Sequence, residues 1–192
     1  MKMHRLPSVT PEEFTEAQQR LFRRITEGKR SRGRALEKFL TPEGGLRGPF
    51  NAWLYCPPVG EAAQRLGEVL RFESPIPPVL RELAILTVAA YWRADYEWWA
   101  HAKIARREGM DPNLIEDLHA GKPPRFKDPA EAAVHGFATE LLRSRSVSDP
   151  VYREALSHLG QAGVAELVVL LGYYTLVAMT LNVFQVSVPE KD

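Results

Sequence analysis

Residues 81–109 read RELAILTVAAYWRADYEWWAHAKIARREG and place two acids and a histidine within an apolar stretch rich in tryptophan. Glu97 and His101 are four residues apart, so a helix brings their side chains to one face. A carboxylate that fixes the tautomer of an imidazole is suited to proton transfer near neutral pH. The stretch therefore predicts a site in which Glu97 orients His101.

A second acid precedes this pair on an apolar segment of its own. Residues 78–91 have the pattern of a helix with a broad apolar surface, and Glu82 falls within that surface. A buried carboxylate is costly unless it has a partner. Residues 92–95 indicate a break, with Asp95 as the N-cap of the following helix. A hairpin of the two helices would bring Glu82 near Glu97 and His101.

A solvated helix surface is the alternative interpretation of the same spacing. Glu and His four residues apart often form an exposed pair that contributes only a few tenths of a kcal/mol. Glu82 can pair with Arg81 or with another surface cation. The spacing leaves both interpretations open.

The charge and cysteine content narrow the classes of function. The chain has 25 basic and 24 acidic side chains, so its net charge of +1 gives no field that recruits nucleic acid or an anionic membrane. Cys56 is the only cysteine, which excludes an intrachain disulfide and a Cys-X-X-Cys redox centre. The first residues lack the apolar core of a secretory signal. We expect a cytoplasmic protein.

Helix punctuation predicts an all-α fold. An N-cap acid precedes proline at residues 111–112, 128–129 and 149–150, and Gly109 and Gly121 follow helical runs as stops. No alternation typical of strands competes. The expected helices cover residues 10–27, 60–71, 78–91, 96–108, 111–120, 129–144, 149–159 and 160–185. We expect an N-terminal helix and loop over residues 1–48 and a helical domain over residues 49–188.

Two apolar segments extend this expectation. Residues 167–188 carry no charge and are long enough to span a membrane, but tyrosine, threonine, asparagine and glutamine interrupt them. We expect a central core helix or a subunit interface there rather than a membrane span. The loop at residues 41–60 holds Phe50, Trp53, Leu54 and Tyr55 and must therefore pack onto something. It is expected to lie across the core or to roof a pocket, with Asn51 as a polar contributor.

The chain resembles the carboxymuconolactone decarboxylase and alkylhydroperoxidase D superfamily over roughly residues 50–186. The resemblance is strongest in the helix pair. It is carried by Arg81, Glu82, Leu83, Tyr96, Glu97, His101 and the closing Thr180, Leu181 and Asn182. It implies an AhpD-like bundle with a central helical hairpin and a buried C-terminal helix. It also implies a homo-oligomer, as a trimer or hexamer.

The peroxidase branch of this superfamily uses a Cys-X-X-Cys pair before the histidine. Ala94 and Glu97 occupy those two positions here, so the thiolate that would attack a peroxide is missing. The resemblance therefore favours the thiol-free decarboxylase branch, which needs neither a metal nor an organic cofactor. In that interpretation His101 donates a proton or stabilises charge, Glu97 orients it and Glu82 acts as a relay.

The resemblance also suggests what binds a small-molecule substrate. Tyr96 and Trp98 are expected to line the pocket, and Arg93 or Arg47 to hold a substrate carboxylate. The alternatives are an alkylhydroperoxidase-type antioxidant, a binding protein without turnover, and a metal site built from His101 and the two glutamates.

Overall fold

The computed structural model describes residues 5–31, Leu36 and residues 39–189, and this part of the chain is all-α. The predicted fold class is confirmed. The described residues form no named strand, only one isolated β-bridge between Leu40 and Leu46. The α-helices are α1 (Glu16–Glu27), α2 (Phe50–Leu54), α3 (Pro57–Phe72), α4 (Pro78–Trp92), α5 (Asp95–Arg107), α6 (Pro112–His119), α7 (Pro129–Ser144) and α8 (Asp149–Val183).

The chain divides into two compact units. One unit extends to Glu73 and resumes at Thr180, and the other is Ser74–Met179. The first boundary differs from the one expected at residue 48, because α1 and α2 pack against α3 and extend the unit to the end of that helix.

The first helix of this unit begins later than the sequence pattern suggested. Thr10 and Pro11 start only a short 3₁₀ helix, Pro11–Glu13, and Thr10 makes no capping hydrogen bond. The α-helix begins after Thr15, whose hydroxyl accepts from the backbone N–H of Gln18. The Gln18 side chain accepts in return from the Thr15 N–H. This reciprocal capping box satisfies two helix-terminal donors, which the Thr10-Pro11 pair does not.

The loop at residues 41–60 lies across the core of its own unit, as expected. It contains the short helix α2, which the sequence pattern did not predict. Trp53 and Leu54 are buried there, and α2 packs against α1 and α3.

Helix α4 is the centre of the second unit. Every residue from Glu82 to Ala89 is buried, because α4 packs against α5, α6 and α7 on different sides. A core cluster joins α4, α5 and α6 through Leu83, Leu86, Ala102, Ala105, Met110, Leu114, Ile115 and Leu118. The predicted helical hairpin is confirmed.

The hairpin turn differs from the expectation at one residue. Arg93 adopts the left-handed conformation (φ 50°, ψ 46°) and ends α4. The N–H of Ala94 then donates to the carbonyl of Ala89, so the turn is tight. Ala94 occupies the N-cap, and Asp95 is the first residue of α5 rather than its cap. An acid at this position still interacts favourably with the helix dipole.

Helix α8 combines the two predicted C-terminal helices. They meet at Gly160, which has φ 65° and ψ 177° and interrupts the helical geometry without a loop. By length and composition alone, α8 is able to cross a bilayer, but half of its most apolar 18-residue window is buried within the protein. The expectation of a buried helix needs correction for one face, where Val169, Leu176 and Met179 are exposed.

Candidate functional site

Glu82 lies in the buried stretch of α4. It is the fifth residue of that helix, it is 2% exposed, and the four residues that follow it, Leu83 to Leu86, are apolar and buried. The Glu82 side chain cannot reach a solvent-exposed face of α4, because α4 packs against α5, α6 and α7. A carboxylate there needs a partner from another helix.

His101 supplies that partner. The Nδ1–H group of His101, on α5, donates to Oε2 of Glu82 across a distance of 2.7 Å. The Glu82 side chain is 2% exposed and the His101 side chain 10%, so little water competes for this bond. A carboxylate at Nδ1 fixes the tautomer and leaves Nε2 as the nitrogen that can accept or deliver a proton. The sequence pattern had assigned the orienting role to Glu97; the structure gives the hydrogen bond to Glu82.

Tyr174 of α8 contacts the imidazole of His101 as well. Its ring packs edge-on against His101, with ring centroids 5.0 Å apart and planes at 86°. Tyr173 packs against Tyr174 in the same manner, at 5.2 Å. In the sequence pattern, these tyrosines are only interruptions of an apolar helix. Two adjacent buried tyrosines in an uncharged segment were the available signal for a site residue.

Glu97 is buried on the same helix as His101, one turn earlier. It is 2% exposed, and neither carboxyl oxygen has a hydrogen-bond partner among the described residues. Burial raises the pKa of Glu97 well above its ordinary value of 4.5, so the neutral acid is the favoured form. A buried polar group without a partner costs on the order of 1–3 kcal/mol. The unmatched carboxyl group therefore lowers the stability of the folded protein. Unmatched buried groups of this kind are common at functional sites.

Tyr96 and Trp98, the two predicted pocket aromatics, are half-buried on α5. Tyr96 packs against Trp99, with ring centroids 5.4 Å apart. Trp98 lies 4.8 Å from the ring of His119 and packs on the core cluster of α4, α5 and α6. Trp98 therefore helps to join α5 to α6.

Arg93 and Asn51 have different surroundings. Arg93 is exposed at the hairpin turn. Asn51 belongs to the other compact unit, where its side chain accepts from the N–H of Val9 and donates to the carbonyl of Pro7. Its polar groups thus fasten the N-terminal segment to α2. A role for either residue in substrate binding stays a prediction.

The helix positions that carry cysteines in the peroxidase branch are buried here. Ala94 is 1% exposed and Glu97 is 2% exposed. Cys56, the only thiol, is exposed. Within the described ranges, no group of three or more His, Cys, Asp and Glu side chains is placed to hold a metal ion.

Solved structures share this fold. The alkylhydroperoxidase AhpD core of an uncharacterized peroxidase-related protein from Ralstonia eutropha has a TM-score of 0.75 at 13% identity, over 99% of this chain and 94% of that one. An uncharacterized peroxidase-related protein from Silicibacter sp. gives 0.72 at 17% identity, over 97% and 92%. A debrominase in its apo form gives 0.70 at 13% identity, over 95% and 90%. The fold is that of the AhpD-like proteins.

Comparison of the sequence with family models points to the same group of proteins. Residues 57–140 match the model of the carboxymuconolactone decarboxylase family, and this segment contains Glu82, Glu97 and His101. The resemblance to the carboxymuconolactone decarboxylase and AhpD superfamily is therefore confirmed. A search of the curated proteins finds no match to the chain.

Proposed function

We propose that the protein is a cofactor-independent enzyme that decarboxylates a small unsaturated lactone acid or a related carboxylic acid. The buried 2.7 Å hydrogen bond between Glu82 and His101 carries this proposal. A carboxylate and an imidazole in a water-poor setting form an acid–base pair that works near neutral pH. The family match over residues 57–140 supports the substrate class.

The reaction requires one proton and no electron acceptor. The carbon–carboxylate bond breaks, carbon dioxide leaves, and the bonding electrons remain on the substrate as an enolate. His101, protonated at Nε2, delivers its proton to the enolate carbon. Glu82 stabilises the imidazolium before this transfer and holds the ring in place throughout. Water then returns a proton to the imidazole.

Carbon dioxide release from carboxymuconolactone and related lactone acids tests this function. His101→Asn should lower kcat by roughly 10²-fold or more, as expected for loss of a general acid. Glu82→Gln keeps a hydrogen-bonding group but removes the charge. It should lower kcat, because the imidazolium that donates the proton loses its anionic partner.

The chain provides a matched control for both variants. His158 and Glu154 form a second His–Glu pair on α8, with Nε2 and Oε1 3.3 Å apart, in a more solvated setting. His158→Asn and Glu154→Gln should leave kcat unchanged. Release of carbon dioxide that survives His101→Asn, or no release from any lactone acid tested, contradicts the proposal.

Two alternatives have their own tests. Peroxide reduction with a dithiol donor that is abolished by Cys56→Ser would favour the antioxidant activity. Stoichiometric zinc, iron or manganese in the purified protein would favour a metal site at His101 and the two glutamates.

A further inference from the structure

We propose that Glu97 is the oxyanion-binding group of this site and donates a hydrogen bond to the enolate oxygen that decarboxylation leaves on the substrate. This inference rests on the proposed function, because it names the group that stabilises the enolate before His101 protonates it. Glu97 thereby has a role separate from that of Glu82.

The first observation concerns the carboxyl oxygens of Glu97. Both are buried, and neither has a hydrogen-bond partner among the residues that the structure describes. Buried carboxyl groups normally have partners, so two unmatched oxygens call for a ligand or a water molecule. Glu82, equally buried, has its partner in His101.

The second observation is the position of Glu97 relative to the acid–base pair. Glu97 and His101 are four residues apart in the continuous helix α5, and both are buried. This spacing puts their side chains on one helix face as neighbours. Glu97 is therefore close enough to contact a ligand that reaches His101.

The chemistry of a neutral acid matches the charge that develops. Burial raises the pKa of Glu97 and so favours the protonated carboxyl group, which can donate an O–H hydrogen bond. An ionised carboxylate would repel an enolate. Carboxylic acids kept neutral by an apolar site are known to bind oxyanions in this way. Such a donor acts most strongly where water is excluded.

A phenolate imitates an enolate oxygen and tests this role without turnover. The probe is para-nitrophenol, whose visible absorption distinguishes the phenol from the phenolate. The wild-type protein should bind it as the phenolate at neutral pH. Glu97→Gln, which offers a weaker donor, should weaken binding by about tenfold, and Glu97→Leu should weaken it further. Glu116→Gln, an exposed Glu on α6, is the control and should bind as the wild type does.

Folding and ionisation are checked in the same samples. Circular dichroism and thermal unfolding establish that each variant is folded. The infrared difference spectrum of wild type minus Glu97→Gln at neutral pH should contain the carbonyl band of a carboxylic acid. A carboxylate band in its place overturns the proposal. Absence of phenolate binding to the wild type overturns it, as does equal binding by folded Glu97→Leu.

The two proposals can fail separately. Phenolate binding that depends on Glu97, in a protein that releases no carbon dioxide from lactone acids, would overturn the decarboxylase function but keep the oxyanion site. Carbon dioxide release that is unchanged in Glu97→Leu would overturn the oxyanion site but keep the function.

Discussion

His101 Nδ1 and Glu82 Oε2 lie 2.7 Å apart, although 19 residues separate them along the chain. The bond joins the two helices of the central hairpin, and the side chains of Glu82 and His101 are only 2% and 10% exposed. A contact of this kind contributes to stability as well as to chemistry.

Glu82→Leu should destabilise the protein by about 3 kcal/mol, because it leaves the polar imidazole of His101 buried without its partner. The double variant Glu82→Leu/His101→Phe should lose less than the sum of the two single variants, since no unmatched group remains. Urea unfolding of the four proteins measures the coupling. Strict additivity would show that the bond adds nothing to stability.

Glu97→Gln should stabilise the protein at neutral pH. Burial raises the folded-state pKa of Glu97 above 4.5, so the unfolded chain releases a proton that the folded chain keeps. The free energy of unfolding therefore falls as pH rises above 4.5, by at most about 1.4 kcal/mol per pH unit for this group. The neutral amide does not titrate.

The measurement is the difference in unfolding free energy between Glu97→Gln and the wild type as a function of pH. It should grow with pH above 4.5 and be constant below it. A difference that does not vary with pH would mean that Glu97 titrates normally.

Gly160→Ala should destabilise the protein by about 1–2 kcal/mol. The residue has φ 65°, a conformation that strains any residue with a Cβ. Gly136→Ala is the matched control, because Gly136 is helical in α7 and an added Cβ meets nothing within 4 Å. That change should stabilise α7 by roughly 0.5–1 kcal/mol. Thermal unfolding that shows equal effects of the two changes would contradict a role for the kink.

We predict that the protein self-associates through α8. Six exposed positions with small or apolar side chains lie along one face of this helix, at alternating spacings of three and four residues. This pattern packs one helix against a copy of itself. They are Ala162, Ala165, Val169, Gly172, Leu176 and Met179, all exposed. A second copy of the chain that covers this seam would fit the expected trimer or hexamer.

Sedimentation tests the seam. The wild type should sediment as a species heavier than the 21.7 kDa chain, and Leu176→Glu should shift it toward the monomer. Val59→Glu changes an exposed apolar residue of α3 and serves as the control. A wild type that is monomeric throughout the concentration series would contradict the prediction.

Much of the site was accessible from the order of the residues, but not its pairing. Spacing put Glu97 and His101 on one helix face, and the apolar neighbours of Glu82 indicated its burial. Periodicity along one helix cannot reveal which acid reaches the imidazole, because that depends on how α4 and α5 are turned toward each other. Tyr174 was missed for the same reason, since it reaches His101 from a helix more than 70 positions later.

Local chemistry along the chain determined the all-α class, most helix ends and the absence of a dithiol centre, because caps, prolines, glycines and a single cysteine act within a few residues. Helix packing alone decided that Glu82 rather than Glu97 bonds to His101, that Glu97 lacks a hydrogen-bond partner within the described part of the chain, and that α8 exposes apolar residues on one face. Those outcomes depend on distances between segments far apart in the chain, and such distances exist only once the helices have packed.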